Sequence, residues 1–117
     1  MNLDRRCFRI GIGVNYWVNW EYFSTTEEAI KHLREKVPGI QIVAVEQDKK
    51  SVPFTIATYQ FPLALMVSNE TSGATQSVLS LADTIVEIPM WGVNKSLNVM
   101  VSLAIVLFQA VQTLPTI

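Results

Sequence analysis

Hydrophobic and polar positions fall in blocks whose period switches between helical and strand-like along the chain. Ser24-Thr25-Thr26-Glu27-Glu28 sets a capping hydroxyl and first-turn acids ahead of Ala29, Ile30, Leu33 and Val37. Those four keep helical spacing until Pro38-Gly39 stops it. Ile40 to Val45 is a β-branched run that reads as a buried strand, and Gln47 to Ser51 is a polar loop. Pro62 to Val67 reads as a further strand, Thr75 to Leu81 as a short helix with Asp83 beyond it, and Ile85 to Ile88 as a strand closed by Pro89. Phe8 to Val14 is strand-like, weakened by Gly11 and Gly13. The last block, Leu97 to Val111, is apolar except for Asn98, Ser102 and Gln109, and reads as a helix buried on all sides. Helices alternating with apolar runs predict a single α/β domain over residues 1–117, with a mostly parallel sheet flanked by helices.

Composition sharpens this picture. Hydrophobic residues make up 50% of the 117 positions and charged ones 16%, which suits a compact globule. The mean hydropathy of +0.28 is high for a lone domain, so another subunit is expected to cover part of the apolar surface. Leu97 to Val111 is shorter than the roughly 20 residues that span a bilayer. Asp4, Arg5 and Arg6 at the start are followed by no apolar run, so no leader is read there and the expected location is cytoplasmic, with no membrane partner.

The net charge of −1 gives no general pull toward nucleic acid. Most Lys and Arg lie in residues 1–50, whereas residues 51–117 hold only Lys95. A basic contact surface would come from Arg5, Arg6 and Arg9, with Lys31, Arg34 and Lys36 read as the solvated face of a helix. Cys7 is the only cysteine, which excludes an intrachain disulfide, and no base is placed to make it a nucleophile. His32 is the only histidine; it reads as an exposed helix residue, and no metal site is expected.

Two loops follow predicted strands, where open α/β sheets bind ligands. The first is Ser68-Asn69-Glu70-Thr71-Ser72-Gly73, which also reads simply as a capped turn into the next helix. In the second, Pro89 removes a donor, so the backbone of Ile88 and Met90 can meet a ligand edge. Ser96 can cap the final helix, a role compatible with ligand contact.

Taken together, Asn69-Glu70-x-x-Gly73, Leu81-Ala82-Asp83, Ile88-Pro89-Met90-x-Gly92 and Ser96-Leu97-Asn98-Val99 resemble the SpoU or TrmH family. These are S-adenosyl-L-methionine-dependent RNA 2′-O-ribose methyltransferases of the SPOUT class. The likeness extends back through Thr25-Thr26-Glu27-Glu28-Ala29-Ile30 to Tyr16-Trp17-Val18 and looks like the tRNA-directed TrmH branch. It implies a carboxyl-terminal trefoil knot that forms the cofactor pocket, and a homodimer packed through the knot. It also implies cofactor contacts at Ser68, Ile88 and Leu97, with Asn69, Gly73 and Met90 nearby. Glu70, Ser96 and Asn98 match the polar residues of the reaction centre: Ser96 and Asn98 would orient ribose or cofactor, and Glu70 would order its loop.

The resemblance has departures. The family's first motif, an Asn-rich turn followed by an arginine, has no match, so the domain is expected to be truncated on that side. None of Arg5, Arg6 and Arg9, which lie where the family continues after that motif, is assigned the arginine's role. Ser68 stands where the family usually has glycine, setting a side chain against the cofactor. The function implied is methyl transfer to a ribose 2′-hydroxyl of RNA, tRNA before rRNA. The alternative is a non-catalytic family member that serves as a dimeric scaffold or cofactor-binding module.

Overall fold

The computed structural model describes residues 19–68, 75–92 and 97–115. Within them the chain runs α1 (Thr26–Lys36), β1 (Gln41–Val45), β2 (Val52–Pro53), β3 (Leu63–Met66), α2 (Gln76–Leu79), β4 (Thr84–Glu87) and α3 (Val99–Val111). The expected strand at Phe8 to Val14 lies outside these residues, as do Cys7 and Tyr16-Trp17-Val18.

Each helix starts where a side-chain oxygen replaces a missing backbone acceptor. Thr25 caps α1, its hydroxyl accepting from the Glu28 amide at 3.2 Å, and Glu27 and Glu28 meet the positive end of the helix. After α1, Gly39 holds φ at +82°. An added Cβ there would meet nothing within 4 Å, so backbone conformation, not space, calls for glycine. Thr75 caps the short α2 in the same way as Thr25.

The strands form a four-stranded sheet in the order β2-β4-β1-β3, and every pairing is parallel. The expected parallel α/β architecture is therefore present. β1 is central, pairing Gln41 with Leu63 on one side and Val43 with Thr84 on the other. Ile42, Val43 and Ala44 are at most 1% exposed although successive side chains point to opposite faces, so both faces of β1 are covered. Val43 packs with Tyr59, Val86, Val106 and Ala110, which seats α3 on one face.

One element was not anticipated and two expectations need correction. β2 lies just past the polar loop Gln47 to Ser51, in residues assigned to no element from sequence. Asp48 turns the chain, its carbonyl accepting from the Ser51 amide at 3.1 Å, and Val52–Pro53 then pairs with β4. Pro53 is tolerated because, among the described residues, β2 has a strand neighbour on one side only. The final helix is not buried on all sides. Val106 and Ala110 are inside, but Leu107 is 47% and Phe108 68% exposed, because the sheet covers only one stripe of α3. His32 is half-buried: its ring centroid lies 5.0 Å from that of Phe23, and its Nε2 lies 3.2 Å from the Glu21 carboxylate.

Candidate functional site

A parallel sheet brings all its strand carboxyl ends to one rim, and the candidate site is built there. Glu46 follows β1 directly and sits between two neighbours. Its amide donates to the Val86 carbonyl of β4 at 3.0 Å. Its carboxylate accepts from the Ser68 hydroxyl at 2.8 Å, just beyond β3. One residue thus ties the exit of β3, which carries Ser68, to the exit of β4, which leads to Ile88 and Met90.

The Ser68 side chain is therefore turned onto Glu46. Glu87 is the last paired residue of β4, its carbonyl accepting from the Phe54 amide at 2.9 Å. The segment from Ile88 to Met90 continues outside the strand, half-buried, with Ile88 packed against the core cluster that includes Val86. Trp91 next to it is 90% exposed, and Gly92 turns the chain at a φ of +122° that a side-chain-bearing residue resists.

A second tie holds the near end of the other loop. The Gln76 amide donates to the Asp48 carboxylate at 2.9 Å, fixing the start of α2 beside the β1–β2 turn. That bond, aided by the Lys50 backbone amide, holds the Asp48 carboxyl below its ordinary range.

Asn98 is the N-cap of α3: its Oδ1 accepts from the Met100 amide at 2.8 Å. The capping role read for Ser96 thus belongs to Asn98. The Asn98 side-chain NH₂ has no partner among the described residues, and the residue is exposed, while Leu97 is half-buried. No hydrogen bond among the described residues joins Asn98 to Ser68, Ile88 or Met90. Asn69, Glu70, Gly73 and Ser96 lie outside the described residues.

Glu46 is the functional candidate that sequence reading passed over. The available signal was an acid placed directly after the apolar run Ile40 to Val45, at a predicted strand's carboxyl end. Arg34 changes its meaning as well. Its guanidinium donates to the Leu81 carbonyl and lies 3.5 Å from the Asp83 carboxylate, so it braces α1 against the turn into β4.

A cleft of about 620 Å³ opens at the opposite rim, lined by Gly39, Gln41, Thr58, Asp83 and Thr84 among others. These residues lie at or before the amino ends of the strands, so the cleft and the candidate site occupy different rims. No helix among the described residues is long and apolar enough to cross a membrane.

The profile of the SpoU rRNA Methylase family matches residues 2–108. The chain is 37% identical over 98 residues to the tRNA (guanosine(18)-2′-O)-methyltransferase of Escherichia coli K12, covering 84% of this chain and 42% of that enzyme. Among solved structures it superposes on the A. aeolicus TrmH/SpoU tRNA modifying enzyme with a TM-score of 0.76 at 33% identity, over 90% of this chain and 52% of the other. The AdoMet-bound rRNA methyltransferase from Sinorhizobium meliloti gives a TM-score of 0.67 at 29% identity, over 78% of this chain and 34% of the other. The chain thus spans about half the length, or less, of the relatives it matches. The profile match and the 37% identity across most of this chain place it in the SpoU rRNA methylase family.

Proposed function

We propose that this chain forms the S-adenosylmethionine pocket of an RNA 2′-O-ribose methyltransferase acting on tRNA. The observation that carries the reading is the convergence of Ser68, Glu46 and the backbone after Glu87 on one rim of a parallel sheet. Two of the cofactor positions implied by the resemblance, Ser68 and Ile88, follow the exits of β3 and β4, which flank β1 on that rim. The residues fit the group. A hydroxyl, a carboxylate and non-strand backbone beside Pro89 are the donors and acceptors that an adenosine bearing an amino acid requires.

When bound, the cofactor would supply a methyl group to the ribose 2′-oxygen, departing as the neutral thioether while a base or water accepts the hydroxyl proton. The protein's part is to align the two and keep the site in shape. In this reading Asn69, Gly73, Met90 and Leu97 complete the cofactor contacts, Glu70 orders its loop, and Ser96 and Asn98 orient ribose or cofactor. The carboxyl-terminal segment forms the family's knot. The uncovered stripe of α3, with Leu107 and Phe108, packs against a second copy in a homodimer. The protein works in the cytoplasm on a tRNA related to that of its E. coli relative.

Radiolabelled methyl transfer to unmodified tRNA tests the activity. Incorporation that disappears in Asn98→Ala is the expected result. A second reading, a cofactor-binding module without activity of its own, draws support from Arg34, which is occupied by Leu81 and Asp83 and thins the basic surface. Calorimetric binding of S-adenosylmethionine with no transfer would establish that reading, and folded protein that binds no S-adenosylmethionine would overturn both.

A further inference from the structure

Among the described residues, the Glu46 carboxylate is the charged group joined directly to a proposed cofactor position. It is bonded to Ser68 at 2.8 Å and fixed at the rim by its own backbone bond to Val86 at 3.0 Å. The backbone tie reaches β4 and the side-chain tie reaches the residue just beyond β3, so the Ser68 bond orients the carboxylate along the rim. A ligand resting on Ser68 would therefore lie beside this carboxylate.

The methyl donor and the spent product differ by a methyl group and one unit of positive charge, since the sulfonium becomes a neutral thioether. The other charged groups of the two molecules, the ammonium and the carboxylate, are the same. A nearby fixed anion therefore distinguishes the pair chiefly through the sulfonium. At short range on a water-exposed rim, where screening approaches that of bulk water, one unit charge changes affinity by about three- to tenfold. We infer that Glu46, held by Ser68, is a specificity-determining residue that favours cationic S-adenosylmethionine over neutral S-adenosylhomocysteine at this rim.

This inference rests on the pocket proposed above and adds a direction to it: the product is held less tightly than the donor and leaves more readily. It also gives Ser68 a purpose beyond filling the place of a glycine. The hydroxyl orients the acid, so residues 46 and 68 act as a pair. Glu46→Gln keeps the size of the side chain and an acceptor for Ser68 while removing the charge.

The test is calorimetric titration of the folded chain with S-adenosylmethionine and, separately, with S-adenosylhomocysteine. Glu46→Gln should lower the ratio of the two affinities by about three- to tenfold, mainly by weakening the donor, and Glu46→Asp should restore part of it. In the unmutated protein the same ratio should shrink as salt is raised from low to molar concentration, a readout that needs no variant. A ratio unmoved by both the substitution and salt, with both ligands still bound, overturns the role of Glu46 and leaves the pocket standing. If neither ligand binds the folded wild-type chain, the pocket itself falls and the selectivity with it.

Discussion

Asp83 and Ile42 hold each other by two hydrogen bonds. The Ile42 amide donates to the Asp83 carboxylate at 2.7 Å, and the Asp83 amide donates to the Ile42 carbonyl at 2.8 Å. Ile42 is 1% exposed, so its amide has no water to fall back on. The pair joins the central strand to the entry of β4, and Arg34 braces it from α1.

Replacing Asp83 with alanine leaves that buried amide unsatisfied. Urea denaturation should show a loss of about 1–3 kcal/mol. Asp83→Asn, which keeps an acceptor oxygen, should lose less. Arg34→Ala should lose less than about 1 kcal/mol, because both partners of that ion pair are 41% exposed.

Asn98 combines a cap with a donor that has no partner among the described residues, and two substitutions separate the roles. Asn98→Ala should cost about 1 kcal/mol of stability through the lost cap. Asn98→Asp keeps the capping oxygen but loses the NH₂ group. It should keep most of the stability and lose methyl transfer, read by denaturation and by tRNA labelling on the same preparation.

The uncovered stripe of α3 carries its own prediction. Phe108→Glu should convert the proposed dimer to monomer in sedimentation experiments while leaving monomer stability within about 0.5 kcal/mol, as for other exposed positions. Val106→Ala, at a site with no exposure, should instead cost about 2 kcal/mol.

Asp48 gives a pH signature. Its pKa is depressed first by the Gln76 amide and then by the Lys50 backbone amide, so the bonded form is the ionised one. A group depressed in the folded state stabilises above its unfolded value, and the contribution fades as pH falls through the lower folded value. Gln76→Ala should return the Asp48 pKa toward 3.8, measured by NMR titration of the carboxyl carbon.

Much of this architecture was legible in the residues. Caps, stops and β-branched runs located α1, β1, α2 and β4 because each signal is local. Val52–Pro53 was missed because its strand state comes from pairing with Val86 and Glu87, far along the chain. For α3 the composition showed that the helix wants burial but not what covers it, and the sheet covers only the side bearing Val106 and Ala110. At the site, Ser68 and Ile88 were found through their motifs. Glu46 was not, because it meets Ser68 only through the parallel pairing of β1 with β3, 22 residues apart in sequence.

The Gln41 side chain supports the opposite rim in a way that leaves its loop free to vary. Its amide nitrogen donates to the Thr58 carbonyl at 3.0 Å, and its amide oxygen accepts from the Gln60 amide at 2.7 Å. Both partners are backbone groups, a carbonyl that every residue type carries and an N–H that every type but proline carries. Ile56, 71% exposed, and the side chains of Thr58 and Gln60 can therefore be exchanged while the loop keeps its path. A reporter group or a graft placed there would sit at the far edge of the sheet from Ser68 and Glu46, on a mount secured by one glutamine.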